Sequence, residues 1–303
     1  MKVIEGITLT SQELAHAYRD QLKERQENPE KWRGLQFGHE ELDKITGGLR
    51  KGEFCVIAGA QKAGKTTVAL AWAQRFSRQV QEGEKVLFVS LEMRHESIAA
   101  RVLANLSGIE TSKFRDYKLE DGDWSKLDRG VEEMDTLPVL WNVGAYNIEG
   151  IEKIVEEHAN EIRVIVVDYF QLMVGDSATK KRFEQFEAIS QRLKRLTLTY
   201  DLSVVAISQQ SREALRSIER QKDPNTLAGT QSLVRDCDLL LLILPYIKDG
   251  EEIPHMRKLH IALSRNSGAG VTMDAIFSGA YCRFGAPASL DVSSMPEADP
   301  WWD

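Results

Sequence analysis

The 303-residue sequence contains only three cysteines, Cys55, Cys237 and Cys282. They are scattered and lack metal-ligand spacing, which argues against a zinc site and for a reduced, cytosolic setting. No apolar run approaches the roughly 20 residues needed to span a bilayer, so no membrane association is expected. The N-terminus, Met-Lys-Val-Ile-Glu-Gly, lacks the apolar core of a secretory signal. Internal repeats and low-complexity segments are absent as well. Positive charge is also short: 39 Lys and Arg stand against 46 Asp and Glu, a formal net charge of −7. That balance argues against a protein that coats nucleic acid through its bulk charge and confines any such contact to local basic patches. The remaining composition, 42% hydrophobic and 28% charged, is that of an ordinary soluble globular protein with one large or two ordinary domains.

Against these absences, one stretch stands out. Gly59-Ala60-Gln61-Lys62-Ala63-Gly64-Lys65-Thr66 fits the P-loop pattern G-x-x-x-x-G-K-[ST]. Phe54-Cys-Val-Ile-Ala58 before it reads as a buried strand, and the run from Thr67 onward reads as a helix. Glycines let backbone N–H groups close around phosphate oxygens while the helix aims its positive end at them. Lys65 would neutralise the β and γ phosphates, and the Thr66 hydroxyl would complete a Mg²⁺ shell. The expected ligands are therefore ATP, or another nucleoside triphosphate, and Mg²⁺.

Three other strand ends bear polar groups. Ile162-Arg-Val-Ile-Val-Val-Asp168 is an apolar strand ending in a carboxylate that can hold Mg²⁺ through water. A second apolar strand, from Lys85, ends in Glu92, which could deprotonate the attacking water if its strand lies beside the P-loop strand; otherwise it is a helix-capping acid. The third ends in Ser208-Gln209, where Gln209 could sense the γ-phosphate. Arg212, Arg216 and Arg220 recur every four residues, so a helix there would carry one basic stripe, and Lys180, Lys181 and Arg182 form a second cluster. Both are candidate polyanion contacts, and both could equally be solvated faces. Arg265, in a turn of small polar residues, could be an arginine finger acting on a neighbour's nucleotide.

From about residue 32 to 284 strand and helix patterns alternate, as a mostly parallel sheet covered on both faces requires. Strands are expected at 54–58, 86–91, 139–141, 164–168, 204–208, 239–244, 259–263 and 271–277, and helices at 96–108, 148–161 and 183–200. Before them, Thr10 and Glu13 form a capping box, and Leu14, Tyr18 and Leu22 make one apolar stripe on a charged helix. That stripe either packs on its own domain or docks on a neighbouring subunit. The division expected is an arm over 1–31, an α/β nucleotide-binding domain over 32–286 and a tail over 287–303. The acidic tail ends in Trp301 and Trp302, and is either disordered or a peptide that docks into a protein partner.

Taken together, Gly34-Leu-Gln-Phe-Gly-His-Glu-Glu-Leu-Asp43, the P-loop, Ser90-Leu-Glu92-Met93, Val167-Asp168-Tyr-Phe-Gln171-Leu172, Ser208-Gln209-Gln-Ser211-Arg212, Asp236-Cys-Asp238 and Arg265-Asn266 resemble the RecA-like motor domain of DnaB-type replicative helicases. The opening segment is shared with other RecA-like ATPases, KaiC-type proteins among them; the later signatures are specific to the helicases. The resemblance implies a RecA-like P-loop ATPase, a mostly parallel sheet flanked by helices with a helical N-terminal arm. It implies a cytoplasmic protein of a bacterium or phage-infected cell that forms a ring, a hexamer, on single-stranded DNA, unwinds duplex 5′ to 3′, and binds ATP between subunits. By position, Gly59 through Thr67 would bind nucleotide and Thr66 and Asp168 the Mg²⁺. Glu92 would be the general base, Gln209 the sensor and Arg265 the trans-acting finger. The arm would correspond to the linker helix that docks on the adjacent subunit.

Three departures accompany the resemblance. The family's N-terminal helical collar domain, which meets primase, has no counterpart in the sequence, so either a phage-type or minimal relative or a truncated form is expected, and a primase partner is not. Leu263 stands where the family has a Lys near the finger. Ala228-Gly229 stands where its DNA-binding loop carries an Arg-Glu pair, leaving the Gly229 backbone to hold phosphate. The alternatives left open are a RecA/KaiC-like DNA-dependent ATPase that does not unwind, and an ATP-gated adaptor that recruits a partner through its tail.

Overall fold

The computed structural model describes residues 8–144, 147–173, 182–211, 213–227 and 231–287. Helix α1 (Ser11–Glu27) opens on the expected capping box: the Thr10 N–H donates to Glu13 Oε2 at 2.8 Å and the Glu13 N–H donates to Thr10 Oγ1 at 3.3 Å. No residue of α1 is buried, and Leu14, Tyr18 and Leu22 remain 60%, 56% and 46% exposed. Among the described residues, therefore, nothing buries the stripe against its own domain.

The core begins with a tight entry segment around α2 (Glu40–Thr46). Asp43 turns back so that its carboxylate accepts the N–H groups of Phe37 (2.6 Å) and Gly38 (2.9 Å). Burial pushes the Asp43 pKa up, and those two donors oppose the shift. The turn delivers the Phe37 ring onto Trp72 (4.6 Å between centroids) and Phe76 (5.8 Å) of α3 (Lys65–Ser77). That aromatic cluster anchors the helix that follows the P-loop.

The sheet consists of β1 (Phe54–Gly59), β2 (Lys85–Ser90), β3 (Val139–Val143), β4 (Ile162–Asp168), β5 (Ser203–Gln209), β6 (Leu239–Lys248), β7 (Glu251–Ser264), β8 (Thr272–Ser278) and β9 (Arg283–Gly285). Their order is β3-β2-β4-β5-β1-β6-β7-β8-β9, parallel from β3 through β6 and antiparallel beyond. Further helices are α4 (His95–Ser107), α5 (Thr111–Arg115), α6 (Asp121–Asp135), α7 (Ile148–Glu157), α8 (Arg182–Thr199), α9 (Ile218–Lys222) and α10 (Gln231–Asp236). Residues of α3 and α4 pack with Cys55 and Ile57 on one face of the sheet; those of α7, α8 and α10 pack with Phe54, Val56 and Ala58 on the other. Burial on both faces is why the parallel strands are nearly continuous in Val, Ile and Leu.

All eight expected strands are present, with β9 in addition. β6 and β7 run well past the expected 239–244 and 259–263 because they continue into a polar hairpin. It turns on Asp249-Gly250, both at positive φ (54° and 87°), the Asp-Gly signal of a tight hairpin. The helix considered over 212–220 does not form as one piece. Arg216 ends a 3₁₀ turn (Ala214–Arg216), Ser217 is extended at φ −158°, and its hydroxyl accepts the Arg220 N–H at 3.2 Å to start α9. A serine side chain that captures a backbone N–H favours a helix start over a helix interior, so Arg216 and Arg220 do not share one helical face.

Among the described residues no helix is long and apolar enough to cross a membrane. Trp72, 1% exposed at the centre of the aromatic cluster, generates a direct test. Trp72→Ala is expected to cost about 3–5 kcal/mol in urea unfolding; an unchanged midpoint would contradict this packing.

Candidate functional site

Because β4, β5 and β1 are adjacent and parallel, their carboxyl ends converge on one edge of the sheet. Gly59 of β1 pairs with Gln209 of β5, and Asp168 closes β4 one strand further on. Between them opens a cleft of about 450 Å³, lined by Gln61, Lys62, Gly64, Lys65, Thr66 and Thr67 of the loop and by Glu92, Asp168 and Gln209. Glu92 does not arrive there as envisaged, since β4 and β5 separate its strand from β1. It enters through the turn after β2, where the Leu91 N–H donates to the Asp168 carbonyl at 2.7 Å and laps that turn over the end of β4.

The loop is shaped to receive an anion. Gly64 takes φ +95°, and a Cβ there would stand 2.3 Å from the Phe277 ring, so only glycine fits. No side chain caps the N-terminus of α3, which leaves its first-turn N–H groups facing the cleft. Lys65 bends back so that its Nζ donates to the carbonyls of Ala60 (2.6 Å) and Gly59 (3.2 Å). Burial depresses its pKa to about 8, against the attraction of Asp168 and Glu92. Burial likewise raises the Asp168 pKa to about 6, with Glu92 adding repulsion; Thr66, Arg101 and Lys65 pull the other way.

Asp168 is 1% exposed, and neither carboxylate oxygen meets a hydrogen-bond partner at full bonding geometry. A buried, unmatched carboxylate beside a threonine hydroxyl is the hard-oxygen donor set that a Mg²⁺ ion takes, usually with several of its waters retained. Thr66 and Asp168 thus fit the metal.

Several residues at the cleft were not anticipated: Arg101 of α4, Thr111, Tyr169, Phe277 and Gly279. They converge from elements far apart in the chain; Tyr169 falls within the Asp168-Tyr-Phe-Gln171 signature, and no local motif marks the others. Gln171, visible within Asp-Tyr-Phe-Gln-Leu, is buried just behind the cleft. Its Nε2 donates to Ser208 Oγ (2.8 Å) and the Gln209 carbonyl (3.3 Å), and its Oε1 accepts the Gln209 N–H (3.3 Å). It joins the Asp168 turn to the tip of β5.

Arg265 lies elsewhere, at the opposite end of the sheet. Its N–H donates to the Asp238 carbonyl at 2.9 Å, and Asp238 in turn takes the N–H of Phe54, the first residue of β1, at 2.8 Å. Its side chain is 52% exposed. Of the basic candidates, Arg182 donates to the Gln171 carbonyl at 3.0 Å and covers the Phe186 ring at 5.3 Å. Arg220 and Arg216 approach Glu213 at 3.3 and 4.0 Å. Lys180, Lys181, Arg212, Gly229, Trp301 and Trp302 lie outside the described residues.

Strand order, P-loop and cleft together define the α/β fold of RecA-like ATPase domains. A family profile described as the DnaB-like helicase C terminal domain matches residues 34–286, and the chain belongs to that family. It is 29% identical over 261 residues to a probable replicative DNA helicase of Trieres chinensis, and 29% over 257 residues to the replicative DNA helicase DnaB of Treponema pallidum (strain Nichols). Each alignment covers 83% of this chain but only 57% and 56% of those proteins, so the chain spans little more than half the length of these relatives. Among solved structures, an ATPase domain superposes with a TM-score of 0.81 at 24% identity, covering 90% of this chain and 98% of that one. A DnaB-like replicative helicase, described with its primase interactions, superposes at 0.78 and 24% identity, covering 93% and 68%.

The unmatched Asp168 carboxylate has a consequence for stability. Its raised pKa means the fold prefers the protonated acid: the favourable contribution is present below about pH 4 and is lost as pH rises through about 6. At pH 7 the charged form costs on the order of 3 kcal/mol, because raising a carboxyl pKa by one is worth about 1.4 kcal/mol. Asp168→Asn is therefore expected to melt at least about 2 °C above the wild type at pH 7 without nucleotide. The gain should vanish near pH 4, as read by scanning calorimetry; a lower melting temperature at both pH values would contradict it.

Proposed function

We propose that this chain is the ATP-hydrolysing motor of a replicative DNA helicase, translocating on single-stranded DNA as a ring, a hexamer, and unwinding duplex in the 5′ to 3′ direction. The observation that carries the reading is the single cleft in which Lys65, Thr66, Glu92, Asp168 and Gln209 meet at the uncapped start of α3, in a chain of the DnaB-like helicase family. Membership in that family does not favour the non-unwinding or adaptor alternatives.

In this reading the N–H groups of residues 60–67 cradle the phosphates of ATP, and Lys65 leaves its loop carbonyls to pair with them. Mg²⁺ held through Thr66 and Asp168 would neutralise charge on the phosphate oxygens. Glu92 takes the proton of the water that attacks the γ-phosphorus. Gln209 meets the γ-phosphate, and its links through Gln171 and Ser208 carry the change toward the segment after β5. Arg265 cannot serve its own cleft. It sits at the foot of β1, whose six residues at about 3.3 Å each place the P-loop about 17 Å away. Its role is to reach the phosphates bound by a neighbour. The unpartnered Leu14, Tyr18 and Leu22 stripe supports an arm that docks on an adjacent subunit. Contacts to DNA would come from residues 180–182, 212–220 and 229.

Two measurements test this. ATPase activity should rise with added single-stranded DNA, with strand displacement from a 5′ overhang, and Lys65→Ala should lower turnover by at least about 100-fold. Turnover kept by Lys65→Ala would refute the site. Arg265→Ala subunits mixed into wild-type assemblies should depress activity more steeply than their fraction; strict proportionality would argue against a finger acting between subunits.

A further inference from the structure

Arg257 is buried in β7, within the antiparallel half of the sheet, at 1% exposure. A guanidinium is rarely taken out of water unless it is closely partnered, and here one partner is a P-loop carbonyl while the others lie on its own strand. Its Nε donates to the carbonyl of Ala63 at 3.3 Å, across 194 positions of sequence. Its Nη1 donates to the carbonyls of Met256 (2.6 Å) and Pro254 (2.9 Å) and lies 3.6 Å from Glu252. The guanidinium also covers the face of Phe277 at 4.7 Å from the ring centroid, and that ring is the one closing on Gly64.

We infer that Arg257 is a positioning residue for the phosphate cradle, acting on the Ala63–Gly64 peptide. That peptide is trans, so its C=O and N–H point to opposite sides of one rigid plane. Drawing the Ala63 oxygen outward toward Arg257 turns the Gly64 N–H inward, where the phosphate of the proposed nucleotide would sit. With the peptide reversed, a carbonyl oxygen would face the phosphates instead. Phe277, held under the guanidinium, blocks that rotation from the Gly64 side. The buried charge contributes a second effect, since in dry surroundings its field reaches the loop with little screening by salt. None of this touches the reacting atoms.

This inference rests on the cleft being a nucleotide site, and the test separates the two. Binding of Mg·AMPPNP to the full chain is titrated calorimetrically for wild type, Lys65→Ala, Arg257→Met and Arg257→Lys. Arg257→Met keeps the volume of the stem and removes the head; its Kd is expected to rise about tenfold, the loss typical of one charge-assisted hydrogen bond. Arg257→Lys retains the charge without the planar fork and should fall between, about threefold weaker than wild type. Across an ATP titration, KM should rise for both variants while kcat stays within about twofold, as expected when ground-state and transition-state binding are lost together. A purely architectural role would lower the melting temperature and leave Kd in place. A folded Arg257→Met with wild-type Kd overturns the inference; should that variant fail to fold, wild-type Kd in Arg257→Lys overturns it instead. No binding by the wild type removes the nucleotide site itself. Binding lost in Lys65→Ala yet kept in Arg257→Met removes only the part assigned to Arg257.

Discussion

Parallel pairing of β4, β5 and β1 is the constraint on which the site depends. A parallel ladder delivers the carboxyl ends of neighbouring strands to the same edge, and the register here leaves no slack: Val167 lies against Ala206, and Gly59 against Gln209. A shift of one residue in β5 would turn its buried alanine and valines to the wrong face and move Gln209 off the cleft. The aromatic cluster of Phe37, Trp72 and Phe76 then fixes α3 against this frame. Loop geometry is thus inherited from the core rather than generated locally.

On that frame the protein places groups that oppose its own stability. Lys65 is half-buried and Asp168 buried, and both are shifted toward neutrality. At neutral pH each is charged at the expense of the fold, and in the proposed site phosphate and metal would match those charges. Binding there would recover what folding gave up and would link nucleotide occupancy to domain stability through the same two residues. Lys65 hydrogen-bonds its own loop carbonyls in the meantime, a contact it can exchange for phosphate oxygens without unfolding anything.

Much of this was legible in the sequence because the determinants are local. The P-loop, the apolar strand ending in Asp168 and the Thr10–Glu13 cap each occupy under ten consecutive residues, and double-sided burial wrote the parallel strands as unbroken apolar runs. What stayed hidden depends on tertiary neighbours. The insertion of β4 and β5 between β2 and β1 follows from strand order, which periodicity does not encode, so Glu92 reaches the cleft by a turn instead of by strand adjacency. Arg101, Phe277 and Arg257 carry no motif and acquire their place only when distant elements pack. The basic segment beyond β5 misled for a different reason: spacing of the arginines favoured one helix, while the Ser217 hydroxyl captured a backbone donor and divided it. The Asp249-Gly250 turn, by contrast, was a readable signal of the longer hairpin.

If Arg265 serves a neighbour's cleft, as proposed, its position at the foot of the strand that bears the loop at its top would give the subunit a direction, a giving end and a taking end. Copies joined by such ends line up head to tail, as in any heterologous contact, and cannot pair symmetrically across a two-fold axis. An open row of them always leaves one cleft unserved and one arginine idle, whatever its length. In that reading only closure would complete every site, so a subunit entering or leaving the circle would alter two clefts at once, and loading onto a strand without free ends would require a temporary sacrifice of one of them.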